Sequence, residues 1–177
     1  MENAKQALMG CYGYMSADNA YGQAWQEVTF GYCGFGWSQT NGSSTDLLVS
    51  MDGGIDETIN TMAWRGMYKV IGETNAFIAN IADSPLESAD KLPMEAAARF
   101  LRALAYYNLA VTYGDVPLKT TPSAHDGVAV PRSPKNEVFE LVRTDWEFAY
   151  ENLPEKDDDG FATKWAAKAY LGKLYHT

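Results

Sequence analysis

The stretch from Glu95 to Leu118, EAAARFLRALAYYNLAVTYGDVPL, constrains this chain more than any other. Its residues 95–113 obey helical spacing on two faces at once. Ala97, Phe100, Leu101, Leu104, Asn108 and Val111 recur at three and four residues, and so do Ala103, Tyr106, Tyr107, Ala110 and Tyr113. A helix apolar on most sides must be surrounded by protein. Arg99 and Arg102 leave it one narrow polar edge, with Glu95 four residues before Arg99 and able to pair with it. Gly114 stands where a left-handed cap is needed, and Pro117 forbids the helix to resume.

The rest of the chain reads as further helices around an irregular segment. Ala4, Ala7, Leu8, Cys11, Tyr12 and Met15 form a helical stripe over 2–16, weakened by Gly10 and Gly13, where small residues would let another helix approach. Residues 17–57 are punctuated by Gly31, Gly34, Gly36, Gly42, Gly53 and Gly54 and interleaved with Trp25, Phe30, Tyr32, Phe35 and Trp37. An irregular segment this long and aromatic either folds onto the core or is built for a ligand, and the bias of large aromatics toward burial favours the core. A second helix is expected over 58–82. Pro93 is expected near the start of the third. After a loop to Pro131, Ser133-Pro134 reads as an N-cap followed by proline at the first helical position, with the fourth helix running to Leu153. A charged turn and a Thr163 cap then lead into a fifth helix that runs to Thr177. With nothing to close that helix, the sequence reads as a fragment of a longer protein.

The second and third helices, and the fourth and fifth, read as hairpins. The second member of each alternates alanine with aromatic rings, a packing in which a ring fills the gap over a neighbouring helix's alanine. The fold expected is therefore all-α, a tetratricopeptide-like paired-helix scaffold with a long irregular, aromatic and glycine-rich loop region. Ala103 and Ala166 are 63 residues apart, so the strict 34-residue tandem period is absent.

Composition narrows the function classes. A net charge of −9 and no basic stripe exclude a phosphate-backbone partner and disfavour an anionic membrane surface. An acidic surface suits a neutral or cationic ligand. No apolar run is long enough to span a membrane. Cys11 and Cys33 lack metal-ligand spacing. Gly31 to Gly36 is followed by Gln39, where a dinucleotide fingerprint needs its third glycine. His125 and His176 have no partner at a catalytic or ligand spacing. Glu155 to Gly160 resembles the front of a calcium loop, but Ala166 stands where the closing glutamate belongs. Asp46, Asp52, Asp56 and Glu57 could supply a carboxylate pair for glycoside hydrolysis, although carboxylates in turns are usually only solvated. No catalytic residue, metal site or cofactor is expected.

R-F-L-R-A-L-A-Y-Y-N-L, closed by Y-G-D-V-P-L, resembles the signature helix and turn of the SusD-like (SusD/RagB) family. The likeness extends to the helix from Trp64 through Tyr68, Ile71 and Asn75, to Arg132-Ser-Pro with Asp145 and Leu153-Pro154, and to Ala162-Thr-Lys-Trp-Ala-Ala-Lys-Ala-Tyr-Leu. It thus runs from about residue 41 to the end. The resemblance implies a non-catalytic, lipid-anchored glycan-binding protein at the outer face of the outer membrane. Its partners would be a glycan and a SusC-like TonB-dependent transporter, with membrane contact only through a lipid anchor absent from this chain. Cys11 has no apolar segment before it and does not take the role of the lipidated cysteine.

Ser44-Thr45-Asp46 resembles the stretch ahead of the sugar-stacking loop in starch-binding members, but the following LLVSMDGGID has no aromatic residue. A sugar presents an apolar face to an indole and hydroxyls to carboxylates and amides. On that chemistry Trp37 and Asp52 are the expected ligand contacts, within a ligand region of about 17–57. Two other readings stay open: a helical-repeat module that binds peptide or protein on its concave face, and, third, a carbohydrate-active hydrolase.

Overall fold

The computed structural model describes residues 2–31, 33, 58–122, 130–157 and 159–177. Among them the fold is all-α apart from one short antiparallel rung. The helices are α1 (Glu2–Ser16), α2 (Ala24–Gly31), α3 (Thr58–Ala82), α4 (Ser88–Tyr113), α5 (Lys135–Asn152) and α6 (Lys164–Tyr175), with a π-helical turn at Asp18–Gly22. Strands β1 (Val116–Pro117) and β2 (Arg132–Ser133) pair as Val116 with Ser133 and Pro117 with Arg132. The chain divides into two compact units, residues 13–69 and residues 1–12 with 70–177.

In the larger unit, α4 is the central helix. Fourteen of its residues from Ala96 to Ala110 are buried, and eight of them are alanine or tyrosine. Trp146 of α5 is fully buried; its indole N–H donates to the Phe100 carbonyl at 3.3 Å, and its ring lies 5.4 Å from Tyr107 and 5.1 Å from Tyr170. Phe100 meets Tyr170 edge-on at 5.6 Å. Rings from α4, α5 and α6 thus interlock above alanines, as the alternation of small and aromatic residues requires. Burying a side chain of Trp146's size stabilises by about 3 kcal/mol.

Several sequence expectations are corrected here. Helix α4 begins at Ser88, because the Glu87 carbonyl accepts from both Asp90 and Lys91 and starts the first turn early. Pro93 therefore lies inside the helix, where it forfeits a backbone bond to Ala89, and not at its first position. Arg102 is no surface edge: it is 5% exposed, since α5 presents Asp145 to it. The N-cap of α5 is Pro134 and makes no side-chain bond. Asp115 does the capping from across the turn, its Oδ1 accepting the Lys135 N–H at 2.9 Å. Thr163 holds its expected cap position for α6, but through its backbone carbonyl. Helix α6 closes at Tyr175, where the His176 N–H returns to the Lys173 carbonyl, so it does not run to Thr177. Gly114 does cap α4 with φ +74°.

In the smaller unit, α2 occupies part of a segment expected to be irregular. Ala24, Trp25, Val28 and Gly31 are its buried stripe. Two turns of helix flanked by glycines give a weak periodic signal, which is why the sequence hides it. The close approach lies at Gly66 and not at Gly10 or Gly13. A Cβ on Gly66 would fall 1.8 Å from the Asn19 carbonyl oxygen, whereas a Cβ on either α1 glycine meets nothing within 4 Å among the described residues.

Candidate ligand site and its supporting frame

The larger unit builds a polar frame inside its apolar packing. Arg102 Nε donates to Asp145 Oδ2 and Arg102 Nη2 to Asp145 Oδ1, both at 2.8 Å, a two-point contact that only a guanidinium can make with a carboxylate. Arg99 adds a longer contact to Asp145 Oδ1 at 3.3 Å while holding Glu95 through its Nε at 2.7 Å. Asp145 is fully buried, and these two guanidinium groups supply its counter-charge.

The frame continues outward to the segment after β1. Arg102 Nη1 donates to Asn75 Oδ1 at 2.9 Å. This fixes the Asn75 amide so that its Nδ2 donates to the carbonyls of Lys119 and Thr121, at 3.0 and 3.2 Å. From α4, the Tyr106 hydroxyl accepts the Lys119 N–H at 2.6 Å and donates to the Lys119 carbonyl at 2.8 Å. Residue 119 is held on both backbone groups, and the β1–β2 rung closes the same connection at its base. Reading Asn75 and Tyr106 as core stripe positions misses this clamp. Its one signal is a polar amide inside an otherwise apolar α3 stripe.

The expected ligand contacts Trp37 and Asp52 lie outside the described residues, as do Phe35, Asp46, Asp56, Glu57 and His125. In the smaller unit the described residues that flank them in sequence are rich in rings. Trp64 and Tyr68 lie 5.0 Å apart one turn along α3, and Tyr21 and Trp25 lie 6.5 Å apart. Phe30 at the end of α2 is 59% exposed, and the Cys33 thiol donates to its carbonyl at 2.8 Å. Trp64 is only half-buried and Trp165 is 50% exposed, whereas Trp146 is fully enclosed.

Other candidate chemistry resolves into structure. Asp157 Oδ1 accepts the N–H groups of Asp159 and Phe161, which makes the acidic run a self-bonded turn. No group of three or more metal-ligating side chains occurs among the described residues. Both cysteines are free thiols; burial pushes Cys11 up to about 11, with Glu73 adding to the effect, and keeps it unreactive. Burial likewise raises Tyr12 to about 12, against the opposing effect of the Ala162 N–H bonded to its hydroxyl. A cleft of about 310 Å³ between α1 and α3 and another of about 300 Å³ beside Pro93 and Phe161 are lined mainly by apolar side chains. No helix among the described residues is long and apolar enough to cross a membrane.

Paired helices knit by rings and alanines, with a polar clamp that fixes the base of a long connection, define a scaffold protein of the helical-repeat class. Its lineage is specific. Residues 7–176 match the SusD-like family described as "Starch-binding associating with outer membrane", and the chain belongs to that family. A SusD-like protein of Bacteroides ovatus is 33% identical over 125 residues, covering 68% of this chain and 23% of that protein. A laminarin-binding SusD-like protein superposes with a TM-score of 0.83 at 25% identity, over 99% of this chain and 40% of that one. A structure solved with a xylogluco-oligosaccharide superposes with a TM-score of 0.80 at 26% identity, over 96% of this chain and 34% of its own. The chain therefore spans between about a quarter and two-fifths of the length of these relatives.

Proposed function

We propose that this chain is the N-terminal portion of a surface-exposed, lipid-anchored outer-membrane protein. It binds oligosaccharide without a covalent step and delivers it to a SusC-like TonB-dependent transporter. The observation that carries this reading is the family match over residues 7–176, together with superposition on relatives that bind laminarin and a xylogluco-oligosaccharide. The acidic charge of −9 favours a neutral glycan over a polyanionic one. Binding is by stacking and hydrogen bonds, with Trp37 as the ring platform and Asp52 as a hydroxyl acceptor.

The test is calorimetric titration of the full-length protein with laminarin, xyloglucan and starch oligosaccharides, repeated with Trp37→Ala and Asp52→Asn. Binding to at least one neutral glycan, weakened tenfold or more by Trp37→Ala, is expected, since losing one stacked ring removes about 1.4 kcal/mol or more. A panel without any binder refutes the glycan reading. A binder unaffected by either substitution refutes the assignment of these two residues. Release of shortened sugar during titration would move the protein to the hydrolases.

A further inference from the structure

The inner side of α6 is accounted for, since Ala167 is fully buried and Tyr170 contacts both Phe100 and Trp146. Its outer side is not. Trp165, Ala169, Gly172 and His176 follow one another at four, three and four residues, on the opposite side of the helix from Ala167 and Leu174. All four are exposed, as is the neighbouring Tyr175 at 70%. The Trp165 indole, 50% exposed, has Lys164 Nζ 5.0 Å and Lys168 Nζ 5.7 Å from its ring centre. A Cβ on Gly172 would meet nothing within 4 Å among the described residues. Nothing described here needs a glycine in mid-helix, where it is unfavourable relative to alanine, or an indole facing water.

We propose that this outer face of α6 is a helix-packing seam, occupied in the full-length protein by a helical segment that lies beyond Thr177. Three observations select that occupant over an independent partner. The shares covered make the relatives that this chain matches about 2.5 to 3 times its length, so a covering segment is available within the same chain. The stripe repeats the chemistry by which α4, α5 and α6 already pack, a large ring beside alanine or glycine. It is also continuous with that packing, because Lys168 bridges from Trp165 to Tyr150 of α5, 5.5 Å from its ring centre. The covering segment places a bulky apolar side chain over Ala169 and Gly172 and carries a carboxylate toward Lys168, whose ammonium would otherwise be left without a counter-charge as water is displaced. The inference does not depend on the glycan reading.

Cysteine accessibility in the full-length protein tests it. Ala169→Cys and, separately, Gly172→Cys are labelled with a small maleimide, and the modified site is located by peptide mass spectrometry so that Cys11 and Cys33 can stay in place. Glu140→Cys, at a side chain 68% exposed, is the open reference. Both seam cysteines should react at least about 100-fold more slowly than the reference, because labelling must wait for local opening. Equal rates overturn the proposal. Protection that disappears on dilution assigns the seam to a second copy of the chain and overturns it equally.

Discussion

Replacing Asp145 by alanine should be among the most damaging single changes in the larger unit. The carboxylate is fully buried and takes two 2.8 Å bonds from Arg102, which is itself only 5% exposed. Asp145→Ala removes the counter-charge and leaves a guanidinium enclosed with the Asn75 carbonyl as its remaining contact in this frame. Breaking a buried pair by removing one partner costs about 3–5 kcal/mol, most of it the desolvation of the orphaned charge. The neighbouring Arg99 gives the contrast: it is about one-quarter exposed, and its 3.3 Å contact to Asp145 is long, so Arg99→Ala should cost about 1 kcal/mol or less. Urea unfolding followed by tryptophan fluorescence reads both. Arg102→Met combined with Asp145→Leu should be less damaging than Asp145→Ala alone, because no charge is stranded. The reasoning is refuted if Asp145→Ala shifts stability by under about 1 kcal/mol, or if the paired replacement is as costly as the sum of the singles.

Gly66→Ala should destabilise the smaller unit by about 1–3 kcal/mol, because its Cβ would sit 1.8 Å from the Asn19 carbonyl and backbone must move. A urea midpoint equal to that of the parent would refute the close approach. Stability should also fall in alkali. Cys11 and Tyr12 keep their protons in the folded chain up to about pH 11 and 12, whereas the unfolded chain releases them from about 9 and 10. From pH 9 upward the unfolded state therefore binds fewer protons, and each group lowers stability by about 1.4 kcal/mol per pH unit across its own window. Tyr12→Phe should flatten the slope between pH 10 and 12, and an unchanged slope in urea midpoints measured there would refute the contribution of Tyr12. The glycan titration and the maleimide comparison complete the set.

The elements most legible in the sequence are those whose causes are local. Helix α4 could be read because its apolar positions repeat over many turns and Gly114 ends it. What escaped was set by residues far apart in the chain. Arg102 reads as a surface charge until α5 brings Asp145 against it from 43 residues away. The cap of α5 is invisible locally because Asp115 provides it across 20 residues. Trp165 looks like Trp146 by spacing, yet one is enclosed and the other half in water, since periodicity shows that a face is apolar and not what covers it. The clamp on residue 119 combines Asn75 and Tyr106, which the sequence shows only as members of two separate stripes. The proposed ligand contacts, Trp37 and Asp52, are the least legible of all, because they rest on residue chemistry without a periodic pattern to position them.

The rung that joins Val116–Pro117 to Arg132–Ser133 gives the connection between them an unusual licence to change. Its two ends are tied to each other and to the helices, so the excursion between them can be lengthened or rewritten while α4 and α5 keep their register. Doubling its length would cost only about 0.6 kcal/mol in closure entropy. A lineage could diversify this hoop through many sequences without renegotiating the core beneath it.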